Sequence, residues 1–281
     1  MSENTSASEW ANARGEKWLA QLAGMEAMIN PVNEPLIRAL HLDAACRIVD
    51  IGCGGGGATL DILRQSPAGT VVHGVDISPA LIEFARTRIQ SDRGAIAFDM
   101  ADMATAPLPN EPYDRLASRF GIMFFDDPRA AFGNLFRWLG PSGRFAFAVW
   151  GRLSENHWMA ATREVVAEVM DLPSLDSEAP GPFRYCDPEK LIRLLASVGF
   201  SEIQVDDWRG ALPIGGGLKA DEAAAFALSA VSSLGELLAE AGGELVTHAR
   251  QSLTERFSRN LRDGVVQMDA CVHIFTGVRL E

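Results

Sequence analysis

The chain has 281 residues, of which 47% are hydrophobic and 22% are charged, and its formal net charge is −12. These fractions are ordinary for a folded protein, so they exclude wholesale disorder, and the length suffices for one large domain or for a domain with a subdomain. The acidic balance argues against nucleic acid as a partner, because an acidic surface repels phosphate backbones.

The N-terminal segment is predicted to be helical after a short tail. Residues 1–9 are polar and are expected to form a loose tail. Residues 10–40 have helical spacing, which Pro31 and Pro35 interrupt. The large apolar side chains that can share one face of this segment are Trp10, Trp18, Leu22, Met25, Met28 and Ile29.

Strands and helices alternate from about residue 45 to residue 150. Ser78-Pro79 and Asp127-Pro128 each combine an N-cap residue with proline at the first helical position. The alternation predicts a parallel sheet with right-handed crossovers, which is a doubly wound α/β core. Apolar runs predict strands over 47–51, 70–77, 95–100, 113–120 and 144–150, with helices over 58–65, 78–90 and 127–139 and a turn over 140–143.

The rest of the chain, residues 151–281, is less regular. Strands are predicted over 201–208 and 265–280, and helices over 157–170, 187–198 and 219–262, the last with a break at Gly242-Gly243. The helices of 219–262 are interpreted as part of a cap over the sheet edge. An alternative interpretation makes them the interface of a homodimer.

A glycine-rich segment follows the first predicted strand and precedes a helix. It reads Asp50-Ile51-Gly52-Cys53-Gly54-Gly55-Gly56-Gly57. Glycine permits a sharp turn and a close ligand approach, and the amides at a helix start favour a negative group. Asp76 ends the second strand, where a carboxylate accepts hydrogen bonds from both ribose hydroxyls. Loop and acid together predict a site for a nucleoside cofactor.

The glycines alone fit two kinds of cofactor. Gly52-x-Gly54-x-x-Gly57 matches the dinucleotide fingerprint. Asp50-x-Gly52-x-Gly54-x-Gly56 matches the loop of S-adenosylmethionine methyltransferases. Against a nicotinamide-dependent oxidoreductase, neither Tyr113 nor Tyr185 has a lysine four residues on, so the usual Tyr-x-x-x-Lys pair is absent.

The chain resembles the class I S-adenosylmethionine-dependent methyltransferases, in the small-molecule group that includes the ubiquinone/menaquinone-biosynthesis type. The resemblance covers about residues 10–210 and the last strand. It rests on VDIGCGGG (49–56), GVDIS (74–78), FDMADM (98–103), YDRLASRFGIMFF (113–125) and GPSGRFAFAVW (140–150).

This resemblance implies a Rossmann-like sheet of seven strands whose last strand is antiparallel. The N-terminal helical lid would be residues 1–45, the cofactor-binding core residues 46–150, and the rest of the sheet with helical cap insertions residues 151–281, all in one catalytic domain. The cofactor would be S-adenosylmethionine and the product S-adenosylhomocysteine. The lid interpretation of the N-terminal helix is compatible with ordinary packing against the sheet.

The resemblance also implies a set of cofactor-binding residues. Asp50 and the loop from Gly52 to Gly56, which includes Cys53 and Gly54, would hold the methionine part. Asp76 would bind the ribose, and Ile77 would pack on the adenine. Asp102 and Met103 would read the adenine amino group and cover the ring edge, and Arg119 would lie at the methionine end. The four consecutive glycines depart from the usual loop, which has a larger residue after Cys-Gly.

Methyl transfer from a sulfonium is an in-line displacement, so catalysis can come from alignment and water exclusion. A general base matters only when the acceptor loses a proton. His157, after the fifth strand, is the first candidate base, and Tyr185 could line the acceptor pocket. Each has a local structural role as its alternative. We expect a small aromatic or apolar acceptor, methylated on O, C or N.

Two further functional interpretations stay open from the sequence. One is a protein that binds S-adenosylmethionine without transferring methyl groups, either a regulator or a cyclase-like enzyme. The other is an NAD(P)-dependent oxidoreductase. We expect no metal, because the four cysteines form no metal-ligand spacing and Asp127, in the pair Asp126-Asp127, is explained as a helix cap. No membrane span or signal peptide is predicted, which favours a cytoplasmic protein.

Overall fold

The computed structural model describes residues 7–89, 95–230 and 232–280. The strands of this part of the chain are β1 (Arg47–Ile51), β2 (Val71–Asp76), β3 (Ile96–Met100), β4 (Tyr113–Arg119), β5 (Leu139–Trp150), β6 (Ser201–Pro213), β7 (Leu261–Arg262) and β8 (Val265–Val278). They form one sheet in the order β3-β2-β1-β4-β5-β8-β6, with β7 paired to β8.

The pairing confirms the predicted fold class. Strand β1 pairs in parallel with β2 and β4, β2 pairs with β3, and β4 pairs with β5. Strand β8 lies antiparallel between β5 and β6. It is the predicted seventh strand, while the two-residue β7 was not predicted.

Eleven α-helices are found in the described part of the chain. They are α1 (Ala7–Trp10), α2 (Ala13–Ile29), α3 (Asn33–Ala39), α4 (Gly57–Gln65), α5 (Pro79–Thr87), α6 (Pro128–Trp138), α7 (His157–Ala167), α8 (Pro188–Ser197), α9 (Ala220–Ala230), α10 (Ser232–Ala241) and α11 (Gly243–Ser258). Short 3-10 turns lie at Asn30–Val32, Ile122–Phe124, Leu153–Glu155 and Ile214–Gly216. The predicted caps are confirmed, since Ser78 accepts from the Leu81 N–H and Asp127 from the Ala130 N–H.

The N-terminal segment is more divided than predicted. Helix α2 ends at Ile29, and a 3-10 turn containing Pro31 separates it from α3. The expected loose tail is wrong for residues 7–9, which are helical, and residues 1–6 lie outside the described residues. Four members of the predicted apolar face are buried, namely Leu22, Met25, Met28 and Ile29.

Two strands extend beyond their predicted bounds. The predicted turn over 140–143 belongs to β5, because Leu139 pairs with Tyr113 and the Ser142 N–H donates to the Arg279 carbonyl at 2.8 Å. Ser142 has a φ of +61°, so the strand bends there without ending. Strand β6 runs on to Pro213, since β8 pairs with it as far as Gln267.

The predicted helical region 219–262 forms three helices. The break at Gly242 is confirmed, and its φ of +122° is one that glycine adopts readily. Residue 231, between α9 and α10, lies outside the described residues. In the described residues no single helix has the length and apolar composition of a membrane span, and only α9 joined to 234–241 across a 99° bend passes that test.

Candidate active site

The glycine loop joins β1 to α4 at the carboxyl edge of the parallel strands. Gly52, Gly54 and Gly56 have φ values of +66°, +55° and +82°, in a region of backbone conformation that residues other than glycine rarely adopt. A Cβ at Gly52 would lie 2.6 Å from the Cα of Gly121, which belongs to the loop after β4. The sequence therefore forms a tight turn that presses directly on a neighbouring loop.

Asp76 is fixed by the backbone that surrounds it. Its Oδ2 accepts the Gly54 N–H at 2.8 Å, and its Oδ1 accepts the Ser78 N–H at 2.9 Å. Burial raises the pKa of Asp76, and these backbone hydrogen bonds oppose the rise. Each carboxylate oxygen keeps a second lone pair. Asp76 can therefore accept a ligand hydroxyl while it holds the loop.

Asp50 lies beneath the loop and is 1% exposed. Its Oδ2 accepts the Thr59 hydroxyl at 2.7 Å, while its buried Oδ1 has no hydrogen-bond partner in the described part of the chain. Burial raises the pKa of Asp50 to about 6, and the Thr59 hydroxyl and Arg119 oppose the rise. An orphaned buried oxygen at this place is a polar group that a bound ligand or water can satisfy.

A cavity of about 320 Å³ opens against the loop, at the low end of the range for small-molecule sites. Of the predicted cofactor-binding residues, those that border it are Gly52, Cys53, Gly54, Asp76, Ile77, Asp102, Met103 and Arg119. Asp50 and Gly56 do not border it. Gly56 instead shapes the loop, because a Cβ there would lie 2.6 Å from the Phe98 ring.

One end of the cavity combines apolar and carboxylate groups near β2 and β3. Ile77 borders it from the end of β2, and Met103 is buried after β3. The Asp102 Oδ1 accepts the Ala104 N–H at 2.9 Å, which aligns the turn that carries Met103. This end can hold a flat heterocycle between apolar side chains.

The opposite end next to the loop carries a cation and an anion. The Arg119 guanidinium donates to the Asn33 Oδ1, and the Asn33 Nδ2 donates to Asp61 at 2.7 Å. Burial lowers the pKa of Arg119, while the charges of Asp50, Glu26 and Asp61 raise it. Glu26 borders the same cavity from α2. Glu26 was not predicted from the sequence. A charged residue between Met25 and Met28, on an otherwise apolar helix face, could have indicated that it belongs to the site.

Glu26 ties α2 to the glycine loop. Its Oε1 accepts the Gly57 N–H at 3.1 Å, and both of its oxygens lie 2.9 Å from the Arg88 Nη1. Arg88 in turn donates to the Gly55 carbonyl at 2.7 Å. A Cβ at Gly55 would overlap the Leu22 Cδ2 and lie 3.2 Å from the Glu26 Oε1. The small residue after Cys-Gly therefore makes room for α2.

The remaining wall of the cavity is aromatic. Phe120 and Trp150 stack with ring centroids 4.1 Å apart, and the Trp10 ring lies 5.0 Å from that of Phe124. Phe120 has a φ of +67°, an uncommon conformation for a bulky residue that is found at functional sites. The other large apolar residues on this wall are Trp18, Met123, Phe125, Trp158 and Met159. Such a wall suits an apolar or aromatic ligand.

The structure brings neither candidate catalytic residue into this cavity. His157 is exposed at the start of α7 and does not border the cavity. Tyr185 is fully buried, and its hydroxyl has no hydrogen-bond partner in the described residues. Burial raises the pKa of Tyr185 to about 12, so its hydroxyl stays protonated. Their catalytic roles stay predictions without geometric support.

One cluster outside the cavity has metal-ligand chemistry. Donor atoms of Asp207, Cys271 and His273 lie within 4.8 Å of one another, and it is the one such group in the described ranges. The Asp207 Oδ1 lies within hydrogen-bond distance of the His273 Nδ1, at 2.6 Å. The Asp207 Oδ2 forms an ion pair with the Arg209 Nη2 at 2.9 Å. Antiparallel pairing of β6 and β8 joins these distant residues, so spacing along the sequence gave no signal.

The cavity meets the requirements of a nucleoside joined to an amino acid. Asp76 suits ribose hydroxyls, and Ile77 with Met103 suits a base. Arg119 and Glu26 offer opposite charges for the carboxylate and amino group of an amino acid. Two further features agree with this fit. The glycine loop is so tightly packed that a Cβ at Gly52 or Gly56 would collide with a neighbour, and the buried Oδ1 of Asp50 lacks a hydrogen-bond partner in the described residues.

Comparisons with known proteins find similarity to methyltransferases. The methyltransferase domain family matches residues 48–143. Demethylmenaquinone methyltransferase of Thermus thermophilus is 29% identical over 164 residues, which cover 55% of this chain and 74% of the relative. Phosphoethanolamine N-methyltransferase 1 of Zea mays is 32% identical over 108 residues, which cover 38% of this chain but only 21% of the relative. The solved YcgJ protein of Bacillus subtilis shares the fold at a TM-score of 0.57 and 15% identity, over 89% of this chain and 98% of that one.

Proposed function

We propose that this chain, which belongs to the class I S-adenosylmethionine-dependent methyltransferases, transfers a methyl group to a small organic acceptor with a largely apolar body. The observation that carries the proposal is one cavity that joins the glycine loop and Asp76 to an aromatic wall. A cofactor and an acceptor can then meet in the same space.

The cofactor would be held by groups from five parts of the fold, namely β1, the end of β2, the turn after β3, the end of β4 and α2. Asp76 would accept the ribose hydroxyls, and Ile77 and Met103 would pack on the adenine beside Asp102. Arg119 and Glu26 would bind the carboxylate and the amino group of the methionine part. Asp50 would act from beneath the loop, where its Oδ1 lacks a partner.

When bound, S-adenosylmethionine supplies a methyl group on a sulfonium that is already activated for displacement. The protein's task is therefore to orient the acceptor and to exclude water. The stacked Phe120 and Trp150 offer a flat surface for the acceptor. Trp10 and Trp18 cover the cavity from the N-terminal lid, and α9 contributes Ser229 and Ala230 from the cap.

Calorimetric titration with S-adenosylmethionine, S-adenosylhomocysteine and NADH tests the cofactor. We expect the first two to bind and Asp76→Ala to abolish that binding. Asp43→Ala is the matched control, because Asp43 is an exposed aspartate in the loop before β1. Unchanged affinity in Asp76→Ala, or binding of NADH alone, would refute the cofactor assignment.

Transfer of labelled methyl groups from S-adenosylmethionine to a metabolite extract tests the reaction. We expect a labelled product of low molecular mass that is extracted into organic solvent. Tight cofactor binding without any transfer, across extracts of several polarities, would instead favour a protein that binds the cofactor without transferring its methyl group.

A further inference from the structure

A second cavity lies next to the first one. It has a volume of about 180 Å³ and lies between α7 and the loop over 175–186. Met159 and Pro182 border both cavities. The two cavities therefore share part of their walls.

Arg184 borders the second cavity and is 8% exposed. Its guanidinium donates to the Phe125 carbonyl and lies 5.8 Å from the centre of the Tyr185 ring. Within the described ranges no carboxylate forms an ion pair with it. A buried cation is costly unless an anion compensates it, and a guanidinium has five N–H donors, most of which the Phe125 carbonyl leaves available.

The charges around this cavity favour an anion. Arg163 borders it as well and donates to the Pro173 carbonyl. Asp176 is the acidic group on its lining, and it is exposed, with its Oδ1 accepting the Glu178 N–H at 2.8 Å. Lys190 pairs with Glu178 at 2.8 Å. The Arg184 guanidinium thus borders a cavity whose one acidic lining residue is exposed, in a chain whose net charge is −12.

We propose that the second cavity binds a carboxylate of the methyl acceptor, with Arg184 as its partner. The acceptor is then an apolar body in the aromatic cavity that ends in a carboxylate group. The planar guanidinium matches a carboxylate through two parallel hydrogen bonds. A single negative charge suits the cavity better than a phosphate dianion, because Asp176 repels additional charge. This inference rests on the proposed function for the identity of the ligand.

The experiment compares two probes of similar shape, 4-phenylbutanoate and 4-phenylbutan-1-ol, by calorimetric titration with S-adenosylhomocysteine present in excess. We expect the wild type to bind the carboxylate at least about tenfold more tightly than the alcohol, the effect of one charged hydrogen-bonded pair. Arg184→Gln removes this preference, and Arg184→Lys retains part of it. Arg152→Gln is the matched control, since Arg152 is exposed and borders neither cavity.

Several outcomes overturn the proposal. These are equal binding of the two probes by the wild type, binding of neither, or a carboxylate preference that survives in Arg184→Gln. Tighter binding of 4-phenylbutyl phosphate than of the carboxylate would overturn the choice of anion. Should Arg184→Gln fail to fold, the wild-type comparison and Arg184→Lys still decide.

Binding of S-adenosylhomocysteine is measured separately in each protein. A wild type that does not bind it but prefers the carboxylate through Arg184 refutes the proposed function and leaves the anion site standing. A wild type that binds it without a carboxylate preference refutes the anion site alone.

Discussion

Gly55 and Leu22 offer a sharp test of how helix α2 meets the glycine loop. The φ of Gly55 is not positive, so alanine can adopt its backbone conformation. The obstacle to Gly55→Ala is the Leu22 side chain, because the new methyl group would overlap the Leu22 Cδ2. The Leu22 side chain must then change its rotamer, or helix α2 and the loop must move apart.

The expected magnitudes follow from this contact. The overlap is roughly 1 Å inside van der Waals distance, and overpacking of this kind costs about 1–3 kcal/mol. Leu22 is 5% exposed, so Leu22→Ala leaves a cavity and costs about 2–5 kcal/mol by itself. In the double variant the alanine methyl group fills part of that cavity. We therefore expect the two losses to be less than additive by about 1–3 kcal/mol.

Urea unfolding of the wild type, the two single variants and the double variant measures the coupling. Titration with S-adenosylhomocysteine follows the site, and we expect Gly55→Ala to weaken binding and Leu22→Ala to restore it in part. Gly133→Ala is the matched control in the middle of α6, where a Cβ meets nothing within 4 Å. It should stabilise the protein by about 0.4–1 kcal/mol.

The reasoning is refuted if the losses in the two single variants add to within about 0.5 kcal/mol in the double variant. It is equally refuted if Gly55→Ala leaves both stability and affinity unchanged. Destabilisation by Gly133→Ala would show that any added methyl group harms this protein, whatever its surroundings.

Two other predictions concern buried titratable groups. Burial raises the pKa of Asp50 from 3.8 to about 6, so the folded state favours the protonated carboxyl group. The contribution of Asp50 to the free energy of unfolding is therefore complete below about pH 4. As the pH rises through about 6, the folded protein loses about 3 kcal/mol of stability. Asp50→Asn should therefore gain stability relative to the ligand-free wild type between these pH values in urea unfolding, with exposed Asp43→Asn as control, and parallel pH profiles would contradict the prediction. Because the Tyr185 hydroxyl has no hydrogen-bond partner in the described residues, we expect Tyr185→Phe to change the free energy of unfolding by no more than about 1 kcal/mol and to leave methyl transfer unchanged. Because His157 is exposed, we expect His157→Ala to keep its activity as well. Loss of turnover in either variant, with cofactor affinity intact, would restore that residue as a catalytic candidate.

The sequence predicted the parallel part of the sheet well because its signals are local. The apolar runs of β1 to β4, the Ser78 and Asp127 caps and the glycine loop each depend on a few neighbouring residues. The start of β5 was predicted too late, because Gly140 and Pro141 are typical of turns. Pairing of Leu139 with Tyr113 and two backbone hydrogen bonds of Arg279, with Ser142 and Gly143, keep this segment in the sheet.

The site was predicted in part for the same reason. Most of the predicted residues in the loop and at the strand ends border the cavity, since motif and topology place them together. The sequence did not indicate Glu26, Asn33 or Arg184, because their positions depend on contacts across the chain, such as those of Glu26 with Gly57 and Arg88. His157 and Tyr185 were chosen by residue type and chain position, and neither property indicates whether a side chain faces the cavity.

The contact between helix α2 and the glycine loop also constrains how this sequence can be altered. Leu22, Glu26 and Gly55 occupy one shared volume, although 33 positions of the numbering separate the first from the last. An N-terminal helix transplanted from a relative with a larger residue after Cys-Gly would meet a loop that lacks its matching side chain. Engineering of acceptor range through the N-terminal helix should therefore exchange position 55 in the same step as positions 22 and 26.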